Sequence, residues 1–335
     1  MSSTFLFAFN AIMPIVLIIG LGYLLKKMKF IDLHFVNLLN KFIFRVALPA
    51  LLFYNVYQID DFSAIKWEVV LFAVAGVMLS YVASLILVSV VIKDPRQKGV
   101  VLQAIVRSNF AMIGIPLAQT LGGAEALAIV AIIGAFTIPQ ANILAVIALT
   151  LFQRNAQGER ISYKKMALNV ISNPLIIAIM VGLFALFIRG FIPRIDGVLV
   201  FSLENNLKFL IETIKLLAVT ASPLALISLG GQFEINVVKS ILKQISIGVI
   251  GRIIIVPGVF LSLAYLLESR IPGMENSYAA LIALFATPVA VSSVIMAQQL
   301  DGDEILAGQM VIWSTLFSMI TLFLIIALFR SIGAL

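Results

Sequence analysis

Two arginines stand inside apolar runs of this chain that hold no acidic residue to match them. Arg107 lies two residues before the segment Asn109-Phe-Ala-Met-Ile-Gly114-Ile-Pro116, and Arg252 lies in a later run. Carrying a guanidinium into hydrocarbon costs at least ~2.5–3.5 kcal/mol on insertion scales, so such a residue is kept for a partner or a task. No Asp or Glu falls in the middle third of any apolar run. Glu125 and Glu304 stand at run starts, where a carboxylate also suits the helix dipole. Positive charge without a resident counter-charge fits an anionic ligand, and guanidinium grips a carboxylate through two parallel hydrogen bonds. For Arg107 the competing reading is a structural arginine bonded to the carbonyls of a broken helix. Arg252 sits only a turn or two inside its run, and snorkelling of its head to the surface is the expectation there.

The second feature is interruption. Pro116 and the triplet Ala286-Thr287-Pro288 break apolar runs at mid-depth. An interrupted helix is tolerated in hydrocarbon only against protein or water, and its exposed ends carry partial charges able to hold an ion or a carboxylate. Gln140 and Asn142 follow Pro139 in a neighbouring run, and Gln103, Ser108, Ser292 and Ser293 complete the polar candidates. The expected binding residues are therefore Arg107, Asn109, Pro116, Gln140, Asn142, Thr287, Pro288 and Ser292. Bond-making chemistry has little to work with. There is no cysteine, the lone His34 lies in a loop, and no phosphate-cradling loop, zinc spacing or Ser/His/Asp set occurs. No enzyme, cofactor or metal is expected.

These residues are positioned by a chain built for a bilayer. Apolar residues make up 62% of 335 positions and charged residues 12%, with a mean hydropathy of +1.13. A soluble domain is roughly 45–50% apolar and about a quarter charged. The pattern predicts an all-α integral membrane protein with ten transmembrane helices, at roughly 5–25, 36–57, 68–92, 99–121, 125–152, 167–188, 207–232, 240–267, 278–299 and 304–329. The net charge of +7 is spread over short loops, which points away from nucleic acid and toward membrane orientation. Odd-numbered loops carry 13 Lys and Arg against 6 in the even loops and C-terminus, placing odd loops in the cytoplasm and both termini outside. The basic cluster Lys26, Lys27, Lys29 follows the first apolar run instead of preceding it, so that run is read as a retained span.

An internal repeat organises the spans. Residues 118–128 (AQTLGGAEALA) and 297–307 (AQQLDGDEILA) match at seven of eleven positions with an offset of 179, and both join the fourth span of a half to the fifth. Pro14 and Gly22 correspond to Pro174 and Gly182, and Ala47-Leu-Pro49 to Ala221-Ser-Pro223. Five spans per half is an odd number, so the second copy is inverted, an arrangement common in transporters. The halves are 1–163 (spans 1–5) and 164–335 (spans 6–10). Under the same offset Asn109 pairs with Pro288, which sets the two breaks at related depths.

With these motifs in view, the chain resembles the auxin efflux carrier family, which includes plant PIN-type carriers and bacterial organic-acid permeases. Asn109 to Pro116 is similar to the family's N-x-x-x-x-G-[IL]-P segment, and Asn40-Lys-Phe with Ala47-Leu-Pro49 to its second span. Ala286-Thr-Pro288 resembles the ninth-span crossover, and Asp303-Glu-Ile-Leu306 the entry to the tenth span. Gln140 falls where PIN-type carriers have a fifth-span Gln near the substrate. The resemblance implies crossed broken helices 4 and 9, as in bile-acid symporters and sodium–proton antiporters. It implies a scaffold of spans 1, 2, 6 and 7, a transport domain of spans 3–5 and 8–10, elevator-like movement and a homodimer. Ser108 in place of the PIN-type Pro, Arg107 before the Asn, and a short fifth loop favour the bacterial branch in the cytoplasmic membrane. The implied cargo is a small organic anion such as malate, malonate or lactate. A sodium-coupled bile-acid-type symporter and an indole-acid carrier are the alternatives, with a channel or a receptor further behind.

Overall fold

The computed structural model describes residues 2–58, 67–153, 168, 171–195, 198–232 and 240–335. The expected boundary at 163/164, the start of the sixth span at 167, and Lys66, Arg154, Arg160, Lys164, Lys165 and Lys239 of the charge count fall outside them. The described chain is helical apart from two paired two-residue strands, β1 (Arg194–Ile195) and β2 (Val198–Leu199). The helices are α1 (Ser2–Lys27), α2 (Leu33–Tyr57), α3 (Trp67–Val91), α4 (Pro95–Val106), α5 (Ile115–Leu151) and α6 (Pro174–Phe191). They continue with α7 (Leu203–Asn206), α8 (Lys208–Gln232), α9 (Leu242–Arg270), α10 (Tyr278–Ala286), α11 (Ser292–Gln299) and α12 (Glu304–Ser331). Among the described residues, seven segments are long and apolar enough to cross a membrane: α2, α3, Ile129–Leu151 of α5, α6, α8, α9 and α12. Their outward faces carry large apolar side chains, such as Phe187, Phe191, Phe209 and Leu216, which water would disfavour and lipid accepts.

Proline shapes these helices in a repeated way. Three π-helical turns, Ile43–Ala47, Phe110–Gly114 and Gly251–Ile255, each end two residues before a proline: Pro49, Pro116 and Pro257. A proline ring removes one backbone donor and clashes with the carbonyl four residues back, and widening the preceding turn relieves that clash. The second and seventh segments, where Pro49 and Pro223 left a single span in question, are continuous helices of 25 residues each. The break between the fourth and fifth spans sits at Gly122–Gly123, where φ reaches +63° at Gly123. The sixth span starts later than its hydropathy indicates. Asn173 caps Leu175 N–H through its side chain, and Pro174 occupies the first turn, so the helix begins at Pro174.

Packing divides the helices into two groups. α1 lies on α8, and α2 lies on α6 and α8; α3, α4 and α5 pack with one another and, through α4 and α5, against α9–α12, while α1 also packs on α12 across the two groups. Because lipid is as apolar as these side chains, such contacts rest on close packing, and small residues permit it. A Cβ added to Gly22 of α1 would lie 2.2 Å from the Ile227 carbonyl oxygen of α8, and one added to Gly230 would lie 2.0 Å from that of Ile19. Backbone thus meets backbone at this crossing, with no room for a side chain. Gly22→Leu and Gly230→Leu are each expected to force the two helices apart, at about 1–3 kcal/mol or more. A thermal melt in detergent checks this: each variant should unfold several degrees below the parent (about 1 kcal/mol corresponds to a few degrees), whereas Gly258→Leu, with open space around it, should not.

Arg189, assigned to an even loop from sequence, is buried at 7% exposure. Its Nη1 donates to the Tyr57 carbonyl at 2.8 Å and its guanidinium lies 5.4 Å from the Tyr57 ring. The Tyr57 hydroxyl donates to Glu204 and accepts from Leu203 N–H, so this cluster ties the end of α2 to α6 and α7.

Candidate functional site

Four helix ends converge at mid-chain depth. α4 stops at Val106 and α10 at Ala286; after each, a short extended stretch crosses the other. Ser108 pairs with Val289 in an isolated antiparallel bridge, Asn109 N–H donates to Pro288 O at 2.8 Å, and Ala290 N–H donates to Arg107 O at 3.1 Å. The two positions that the repeat offset pairs are therefore hydrogen-bonded to each other. Beyond the crossing the chain re-enters helix at Phe110 and at Ser292. Two C-terminal ends, with partial negative charge, and two N-terminal ends, with partial positive charge, face one centre.

Arg252 serves the C-terminal ends. It is 1% exposed, and its five N–H donors reach five carbonyls. Nε donates to Thr287 O at 2.9 Å; Nη1 to Ile105 O and Val106 O, each at 3.2 Å; Nη2 to Leu284 O at 2.7 Å and Phe285 O at 2.8 Å. The snorkelling expectation for Arg252 is thus corrected: five freed carbonyls inside the protein hold the guanidinium more strongly than a distant surface. The structural role that competed for Arg107 belongs to Arg252.

Arg107 faces the other way. It is 5% exposed, with Nη2 2.6 Å from Asn142 Oδ1 and Nη1 3.4 Å from Ser293 Oγ. Asn142 is held in turn by donating to Ile138 O at 2.7 Å. Next to Arg107, the Asn109 side-chain Nδ2 is buried without a partner. Both residues line a cavity of about 70 Å³ bounded by the crossing, by Thr137, Ile138, Ala141 and Asn142 of α5, and by α2 and α8. Among the described residues, no Asp or Glu lines it. At roughly 10–15 Å³ per water on this measure, the space suits a ligand of a handful of heavy atoms.

Of the residues expected from sequence, Arg107, Asn109, Asn142 and Ser292 meet at this cavity. Gln140 does not line it; its Nε2 donates to Val74 O of α3 at 2.9 Å. Thr287 is fully buried, donating to Ala283 O and lending its carbonyl to Arg252. Pro288 contributes its carbonyl to Asn109, and Pro116 is an exposed residue of the first turn of α5. The sequence reading missed the far wall, made of Leu48, Leu51, Leu52 and Asn55 of α2 with Ala221, Ser222 and Ala225 of α8. A signal was present: the matched triplets ending in Pro49 and Pro223 fall on that wall.

The chain matches the model of a family described as membrane transport protein over residues 7–326. A search of curated proteins finds no match.

Proposed function

Since the chain belongs to the membrane transport protein family, as its resemblance to auxin efflux carriers implied, it is a multi-pass membrane transporter and not an enzyme, and we propose that its cargo is a small organic anion of the malate, malonate or lactate kind. One observation carries this reading: a buried guanidinium and a buried, unpartnered amide N–H₂ share a cavity that, among the described residues, no carboxylate lines. An unpaired charge of this sort is costly in a low-dielectric interior, and a bound carboxylate would offset it. The first turns after Asn109 and Val291 add the positive ends of two helices that start at the crossing. The cavity volume favours a small carboxylate over an indole acid.

Ten crossings fit the elements: the seven apolar segments, α1, and the two interrupted passages through α4 and through α10 with α11. The packing groups support a scaffold of α1, α2, α6 and α8, and a moving unit of α3–α5 and α9–α12. The cavity lies between the two, so sliding of one along the other would carry a bound anion between faces. A potential negative inside favours anion exit by ~2.3 kcal/mol per charge per 100 mV, so accumulation requires exchange or ion coupling.

Counterflow in proteoliposomes tests the cargo class. Labelled malate, malonate or lactate should exchange in a saturable way, and neutral or cationic analogues of equal size should not. Sodium-dependent uptake with no exchange would favour the bile-acid-type symporter instead. Asn109→Asp adds a second check, since it keeps the backbone bonds and places a carboxylate against the ligand. Loss of one donor and gain of a like charge should weaken carboxylate binding by roughly 100-fold or more, about 3 kcal/mol, as read by equilibrium binding to the purified protein.

A further inference from the structure

Away from the crossing, four polar side chains form a directed chain of hydrogen bonds between the two packing groups. Ser228 Oγ of α8 donates to Asn40 Oδ1 of α2, Asn40 Nδ2 donates to Gln298 Oε1 of α11, and Gln298 Nε2 donates to Asn37 Oδ1 of α2 at 2.7 Å. Asn40 and Ser228 have no solvent exposure, and Asn37 is exposed at the rim. Both amide atoms of buried Asn40 have a partner, and the Gln298 side chain, besides its bonds to Asn40 and Asn37, also hydrogen-bonds the Glu304 carboxylate. The buried part of the network is therefore satisfied, the condition under which buried polar groups specify a single packing.

Its place relative to the cavity gives it meaning. Cavity-lining Leu48, Ser222 and Ser292 lie eight, six and six residues from Asn40, Ser228 and Gln298 on the same helices. At 1.5 Å per residue the network is therefore ~9–12 Å from the cavity, and in all three helices the step leads toward the face bearing loops 1, 7 and 9. The sequence repeat supplies a comparison. Gln119, the counterpart of Gln298 at the offset of 179, is exposed, and among the described residues it makes no hydrogen bond to α2 or α8. Among the described residues, one of two matched glutamines is engaged between the packing groups, and the other is not.

Resting on the transport reading above, we propose that Asn37, Asn40, Ser228 and Gln298 form the gate that closes the cavity from the face of loops 1, 7 and 9, and that this gate must separate for cargo to leave there. The bonds join a scaffold helix to the moving unit, so sliding of α11 past α2 breaks them. Serine and amide groups suit such a contact, because they re-form bonds with water at modest cost when parted.

The natural absence of cysteine makes a direct, cargo-independent test possible. Ser222→Cys places a single thiol in the cavity, for labelling in sealed vesicles by a membrane-impermeant maleimide applied from either face. With the gate intact, labelling from the face of loops 1, 7 and 9 should be slow. Adding Gln298→Ala should raise that rate about tenfold, the population shift expected from losing a hydrogen bond or two between the units, whereas Gln119→Ala should leave it unchanged. Asn37→Ala, at the exposed rim, gives a second variant with little bearing on folding. Equal labelling from that face with and without the Gln298 and Asn37 side chains would overturn the gate, whichever solute the protein carries.

Discussion

Arg107→Gln is expected to lower carboxylate counterflow by roughly 10–100-fold while the protein still folds. The magnitude follows from removing one charge-assisted contact, worth about 1.5–3 kcal/mol. The fold survives because Arg107 holds little together: among the described residues its side chain bonds only Asn142 and Ser293, and glutamine can keep the first of these. Arg107→Lys keeps the charge but not the fork, so it should recover part of the loss, mainly through a weaker apparent affinity. Unchanged counterflow in Arg107→Gln, with protein recovered at normal yield, would remove Arg107 from the binding site.

Arg252→Met is expected to do the opposite kind of damage. Five carbonyls that cap two buried helix ends would lose their donors together. At about 1–3 kcal/mol for each buried group left unsatisfied, even partial relaxation leaves a loss of several kcal/mol, comparable with the whole stability of many domains. The variant should fail to accumulate in membranes, or melt far below the parent in detergent. Arg252→Lys should also fail, because three donors on one flexible stem cannot reach five fixed oxygens. A thermal melt distinguishes the arginines: large loss for both Arg252 variants, little for Arg107→Gln. If Arg252→Met melts like the parent, the crossing does not depend on this clamp.

The contrast between these arginines marks what the sequence could express. That both were inside apolar runs and lacked acidic partners was visible in one dimension, as were the two interruptions that meet at Asn109 and Pro288. Which arginine met carbonyls and which met a cavity was not. That depends on how far α9 inserts beside the ends of α4 and α10, a tertiary distance with no periodic signature. Gln140 shows the same limit: its position near the site was inferred along one helix, and the rotation of α5 turns it to α3. The start of α6 is legible as the helix-start pair Asn173-Pro174, but it lies inside a run that hydropathy alone treats as continuous. The polar chain from Ser228 to Asn37 joins residues up to 261 positions apart, and nothing local announces it.

The most direct measurement is an experimental structure of the purified protein with a saturating small carboxylate, malonate for example. The account predicts ligand density in the cavity between Arg107, Asn109 and Ser292, with a carboxylate oxygen about 3 Å from the guanidinium and from Asn109 Nδ2. Density for the carboxylate elsewhere, with Arg107 still bonded only to Asn142 and Ser293, would contradict it.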